Sequence, residues 1–72
     1  MQETIKQLVI SLIKNEPEND TDLFSIGLDS LSVLQLIVLI ENEFNVNISD
    51  DDLILDNLRT IMTITHMVEK YV

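Results

Sequence analysis

No cysteine occurs in this chain. Disulfides and thiolate-bound zinc are therefore excluded, and stability rests on apolar packing alone. Aromatic residues are also scarce: only Phe24, Phe44 and Tyr71. Leu, Ile and Val therefore supply nearly all of the 46% hydrophobic content. Cations are few, with four Lys and Arg against 13 Asp and Glu, giving a net charge of −9 and a pI near 4.1. Phosphate recognition needs clustered cations, so this surface is unsuited to nucleic acid and anionic membranes. It suits partners that carry a basic patch, and steering would speed their association. Acidity that serves solubility alone is the plainer alternative. A membrane-spanning run is missing too, because Ser32 and Gln35 interrupt the short apolar stretch Leu31–Ile40. The start, MQETIKQLVI, has an acid within three residues and no cleavage-site pattern, so it does not read as a secretion signal. These absences predict a cytoplasmic protein without membrane insertion. The length of 72 residues predicts a single domain over 1–72.

What is present is helical periodicity. Ile5, Leu8, Val9, Leu12 and Ile13 follow the i, i+3, i+4, i+7, i+8 pattern and predict an amphipathic helix over about 2–15. The polar stretch NEPENDTD (15–22), with the lone Pro17, ends it. Leu23, Phe24 and Ile26 should tuck the following loop onto the core, and Gly27 offers a turn of free φ. A second helix is expected from Ser30 to Phe44, with Val33, Leu36, Ile37, Ile40 and Phe44 on one face. Glu41 and Glu43 lie in its last turns, where the macrodipole disfavours them. Ser49, followed by Asp52, predicts the cap of a short third helix over about 50–56. Thr60 predicts the cap of a last helix to about Tyr71, with Ile61, Ile64 and Val68 inward. The fold expected is all-α: a small four-helix bundle of three longer helices and one short, with a long loop between the first and second.

The second helix is apolar on two sides. At 100° per residue, Leu31, Leu34 and Val38 lie opposite the Val33–Phe44 face. Either this is a central helix with neighbours all round, or the three residues form an exposed docking stripe with Glu41 at its edge.

The chemistry available is limited. Ser30 as a nucleophile needs a base with an orienting partner, and the only histidine, His66, belongs to the last helix near its solvent boundary. The stretch Gly27-Leu28-Asp29-Ser30-Leu31 does not fit G-x-S-x-G, and no strand precedes it. Asp20 and Asp22 begin like a calcium loop, but Phe24 stands at the third ligand position and no glycine at the sixth. Neither catalytic nor metal-binding residues are assigned. Asp29 and Ser30 are both good N-cap residues, and either suits the start of the second helix.

The segment DLFSIGLDSLSVLQLIVLIENEF carries more specific information. With its Asp29-Ser30-Leu31 after Gly27-Leu28, its entry Asp22-Leu23-Phe24, its close Glu41-Asn42-Glu43-Phe44 and the later DNLRTI (56–61), the chain resembles the phosphopantetheine-dependent acyl and peptidyl carrier proteins. The resemblance covers about residues 5–72. It implies a 4′-phosphopantetheine arm on Ser30, installed from coenzyme A by a phosphopantetheinyl transferase. It also implies acyl or aminoacyl cargo held as a thioester on that arm. The chain would then be a monomeric carrier and not an enzyme. Asp29, Leu31, Leu34, Val38 and Glu41 would recognise loading and condensing enzymes through their basic docking patches. A cargo cavity would be lined by Leu34, Ile37, Ile40 and Ile61. Carriers of fatty acid synthesis have acid along the exposed face of the second helix, where this chain has Ser32 and Gln35, and its first loop is short for that group. A dedicated pathway, such as polyketide, nonribosomal peptide or aminoacyl transfer, is therefore expected. Fatty acid synthesis, or an unmodified acidic interaction module, are the alternatives.

Overall fold

Helix α1 spans Gln2–Ile13 in the computed structural model, which describes residues 1–72. Ile5 and Val9 are fully buried on its inner face, and Leu8, Leu12 and Ile13 pack partly against the core. It stops two residues short of the stretch expected from periodicity. Lys14 takes a left-handed conformation, φ 60°, and donates its N–H to the Ile10 carbonyl at 2.9 Å. The Asn15 amide then donates to the Ile26 carbonyl at 3.0 Å, which steers the chain into the long loop.

That loop is fastened to the far side of the molecule. Asp22 caps a 3-10 turn, Leu23–Ile26, by accepting the Phe24 N–H at 3.1 Å. Leu23 is fully buried, and its N–H donates to the Arg59 carbonyl at 2.8 Å. The Met62 N–H donates to the Asn19 carbonyl at 3.0 Å. Arg59 pairs with Asp22 at 3.2 Å, and its guanidinium lies 6.0 Å from the centre of the Phe24 ring. The ion pair is nearly half exposed, so it contributes little. Burying Leu23 contributes more, about 1.5–3 kcal/mol. The Asp22-Leu23-Phe24 stretch is thus a cap, a core residue and a cation platform in sequence.

Helix α2 spans Ser30–Phe44, as the sequence predicts, and turns inward Leu36, Ile37 and Ile40. Asn45 ends it in the left-handed region, φ 56°. The third element departs from expectation. Residues 50–52 form only a 3-10 turn, with Ser49 accepting the Asp51 N–H, and the α-helical turn comes later, as α3, Leu55–Leu58. The three aspartates at 50–52 start a turn well but carry no apolar residue to hold a longer helix on the core. Helix α4 spans Ile61–Glu69 behind a capping box in which Thr60 and Thr63 exchange backbone N–H bonds at 3.0 and 3.1 Å. α1 packs on α2 and on α4, and α3 packs on α4. Leu36, Ile40, Ile61, Ile64 and Val68 are fully buried between them.

The C-terminus is latched to the 3-10 turn. Asp52 pairs with Lys70 at 2.6 Å and accepts the Tyr71 hydroxyl, while that hydroxyl accepts the Ser49 N–H at 3.0 Å. Lys70 first, then Tyr71, hold the Asp52 carboxyl below its ordinary range, and Asp52 in turn pushes Lys70 and Tyr71 up. A lowered carboxylate contributes stability above its unfolded pKa and loses it as pH falls through the folded one. The raised Lys70 and Tyr71 contribute below their unfolded pKa values and lose that contribution as pH rises through the folded ones. The latch is therefore intact at neutral pH and weakens at both extremes. Thermal melts of wild type and Asp52→Asn should differ by a few degrees at pH 7. The gap should close as the pH drops below about 4.

Candidate functional site

The sequence left open which of two adjacent residues caps α2. Asp29 does so: it is in extended conformation and its carboxylate accepts the Ser32 N–H at 2.9 Å. Its carbonyl accepts the Val33 N–H at 2.8 Å. The Ser32 backbone N–H first, then the Ser32 side chain, hold the Asp29 carboxyl below its ordinary range. Capping by Asp29 leaves Ser30 as the first helical residue, exposed, with a hydroxyl that makes no hydrogen bond in the chain. Three of the other serines are committed. Ser11 and Ser25 donate to carbonyls at 2.6 Å, and Ser49 accepts the Asp51 N–H.

Two neighbours fix where Ser30 stands. Leu28 is buried and donates its N–H to the Leu23 carbonyl at 3.0 Å. Gly27 has φ 122°, which L side chains rarely adopt, while an added Cβ would meet Ile13 only at ordinary contact distance. Conformation, not space, demands the glycine here. The hydroxyl of Ser30 is thus held at the positive end of a 15-residue helix by a buried leucine on one side and a capped turn on the other. A phosphodiester fits there: the oxygen is free to bond, faces solvent, and lies beside the first-turn N–H groups that favour an anion.

The two readings of the second apolar face are also resolved. Leu31, Leu34 and Val38 are 66%, 63% and 54% exposed, so α2 is not covered all round. The stripe begins directly after Ser30. Glu41, expected at its rim, holds the next connection together. Its carboxylate accepts the Ile48 N–H at 2.9 Å and its carbonyl accepts the Val46 N–H at 3.1 Å. The unfavourable dipole position of Glu41 was the sequence signal for such a use. His66 is exposed on α4.

The expected cargo cavity inside the bundle is corrected by the packing. Ile40 and Ile61 are fully buried, Ile37 nearly so, and no space opens between them. The space that does exist lies between α1 and α2, an open groove of about 460 Å³ lined by Leu12, Leu34, Gln35, Val38 and Leu39. Only Leu34 belongs to both sets. No helix is long and apolar enough to cross a membrane.

Comparison with known proteins adds an independent line. Residues 3–68 match the phosphopantetheine attachment site family. The chain is 30% identical to the acyl carrier protein of Buchnera aphidicola subsp. Baizongia pistaciae, over its whole length and 95% of that protein. Over 68% of each chain it is 40% identical to the acyl carrier protein of Zymomonas mobilis subsp. mobilis. Its fold is similar, with a TM-score of 0.85 and 23% identity, to a chain in the crystal structure of Bradyrhizobium japonicum glycine:[carrier protein] ligase complexed with glycylated carrier protein. That match covers 92% of this chain and 95% of the other. A second match, at TM-score 0.85 and 24% identity, is to the engineered ligase complexed with the Agrobacterium tumefaciens carrier protein and AMP. It covers 96% of this chain and 99% of the other.

Proposed function

The chain belongs to the carrier proteins with a phosphopantetheine attachment site, and on that premise we propose that Ser30 bears the arm and presents acyl or aminoacyl thioesters to partner enzymes. The protein is a carrier and not a catalyst, and 4′-phosphopantetheine is its covalently attached group. The bound arm supplies the thiol that a chain without cysteine lacks.

The observation that carries the reading is the free, exposed hydroxyl of Ser30 at the start of α2. Gly27 and Leu28 position it, Asp29 spends its carboxylate on the cap while keeping its charge beside the site, and Leu31 begins the stripe a partner would cover. Leu31, Leu34 and Val38 give such a partner apolar contact within an acidic surround, which selects for basic docking patches. The partners we assign are a phosphopantetheinyl transferase and loading and condensing enzymes, with residues 1–72 acting as one carrier unit. The neutral Ser32 and Gln35 support a dedicated pathway over fatty acid synthesis. The glycylated state of the carrier protein in the matched ligase complex supports aminoacyl loading as the chemistry of this chain.

Incubation with coenzyme A, magnesium and a broad-range phosphopantetheinyl transferase, followed by intact mass, tests this. Wild type should gain one arm and Ser30→Ala none. An unmodified wild type, or an arm on Ser30→Ala, would overturn the assignment.

A further inference from the structure

We propose that Arg59 is a positioning residue for arm transfer: it holds the segment that leads into Ser30 and so sets where the Ser30 hydroxyl stands. The inference rests on Ser30 bearing the arm. Arg59 grips three consecutive residues. Its carbonyl accepts the Leu23 N–H at 2.8 Å, and its guanidinium donates to Asp22 Oδ2 at 3.2 Å. The same guanidinium lies 6.0 Å from the centre of the Phe24 ring. Arg59 can serve as a post because its own backbone is fixed on both sides. Leu58 before it is buried, and Thr60 after it caps α4 through its paired bonds with Thr63.

The grip reaches Ser30 in short steps. Asp22 Oδ1 accepts the Phe24 N–H at 3.1 Å while Oδ2 takes Arg59. The guanidinium thus holds the carboxylate in the orientation that caps the 3-10 turn Leu23–Ile26. Such turns have poor hydrogen-bond geometry of their own, so an outside clamp matters to them. Leu23, at the start of this turn, is fully buried, and its carbonyl accepts the N–H of both Gly27 and Leu28. Leu28 is buried too, and only Asp29 separates it from Ser30. Asp29 bonds forward into α2, to Ser32 and Val33, so the approach to Ser30 is set from the loop side by Leu23 and Leu28. Asn15 braces the far end of the turn through the Ile26 carbonyl at 3.0 Å. Loss of Arg59 would therefore shift the turn and not release it. The pair with Asp22 is nearly half exposed and adds little stability, so its effect falls on position.

Transfer kinetics and the amide shifts of the unmodified chain test the proposal together. With coenzyme A, magnesium and a broad-range transferase, Arg59→Ala should lower kcat about tenfold, within the roughly hundredfold that a displacement of about 1 Å can cost. KM for the carrier should stay within about twofold, because the stripe of Leu31, Leu34 and Val38 is untouched. The melting temperature should stay within about 5 °C of wild type. Arg59→Lys should keep about half of the wild-type kcat or more, because the contact to Asp22 uses one nitrogen, which an ammonium can supply. The double variant Asp22→Ala with Arg59→Ala should be no slower than Asp22→Ala alone, since both act through one carboxylate. In nuclear magnetic resonance spectra of the unmodified chain, Arg59→Ala should shift the backbone amides of Leu28, Asp29 and Ser30 and leave those of Leu36 and Ile40 in place. These shifts are read without the arm, so a wild type that takes no arm refutes the Ser30 assignment while the grip on the lead-in is still decided. An unchanged kcat, a loss confined to KM, a lysine variant as slow as the alanine one, additive losses in the double variant, or shifts that stop at Phe24 would overturn the proposal.

Discussion

Leu36→Ala should destabilise the protein by about 3–5 kcal/mol, while Leu34→Ala, two residues earlier on the same helix, should change stability by no more than about 0.5 kcal/mol. Leu36 is fully buried and Leu34 is 63% exposed. Truncating Leu36 loses the transfer free energy of its methyl groups and leaves a void that the surrounding isoleucines fill only in part. A domain of this length has about 4–11 kcal/mol to lose, so the variant sits close to unfolding. At about 4–8 °C per kcal/mol, the melting temperature should fall by tens of degrees. Leu34 has few protein neighbours to lose, and its alanine variant should melt like wild type yet dock more weakly on partner enzymes. Thermal melts followed by circular dichroism separate the two. Equal losses at both positions would mean that α2 is covered on all sides.

Asp29 should split into two separable roles. Asp29→Ala removes the carboxylate that accepts the Ser32 N–H, and loss of such a cap costs about 1 kcal/mol, seen as a lower melting temperature. Asp29→Asn keeps an acceptor of the same shape, so its melting temperature should stay near that of wild type. Both variants lose the charge beside Ser30. A charge-assisted contact to a basic partner contributes roughly 1.5–3 kcal/mol, so kcat/KM for arm transfer should fall about ten- to hundredfold in both. Normal transfer in Asp29→Asn would assign Asp29 to the cap alone. The carboxyl is held below its ordinary range by the Ser32 N–H, so its share of stability is present above the unfolded carboxylate pKa. That share is lost as pH falls through the lower folded value, and Asp29→Ala should then approach wild type.

The geometry around Ser30 was legible in the sequence because it is local. The glycine turn, the cap and the first helical residue are four consecutive positions, Gly27 to Ser30, and their roles follow from φ freedom and capping chemistry. The inner face of α2 was legible for the same reason, since a 3.6-residue period shows in fifteen residues. What escaped was set by distance along the chain. Glu41 reaches the Ile48 N–H, Arg59 reaches Asp22, and Tyr71 reaches Ser49 and Asp52, contacts that no local pattern encodes. The fate of Leu31, Leu34 and Val38 turned on whether a neighbouring helix covered them, which only the packing of α1 and α4 decides. The third helix was misplaced because acidic caps mark where a turn begins but not whether apolar contacts sustain it. The interior cavity failed on a similar point: Ile37, Ile40 and Ile61 share a region of the core, but their volumes fill it.

One consequence of the geometry is economy of chemistry at the site. The Ser30 hydroxyl opens α2 exposed and without a hydrogen bond to any base. On the proposal that Ser30 bears the arm, activation belongs to the enzyme that would modify it, and the carrier contributes position, charge and an apolar surface.

The most direct measurement is residue-level mapping of the modification on wild-type protein. After incubation with coenzyme A, magnesium and transferase, the protein is digested and its peptides are fragmented in a mass spectrometer. The arm should reside on Ser30 alone, with Ser25 and Ser32 in the adjoining sequence unmodified. An arm on Ser11, Ser25, Ser32 or Ser49, or no arm on any of them, would contradict the account.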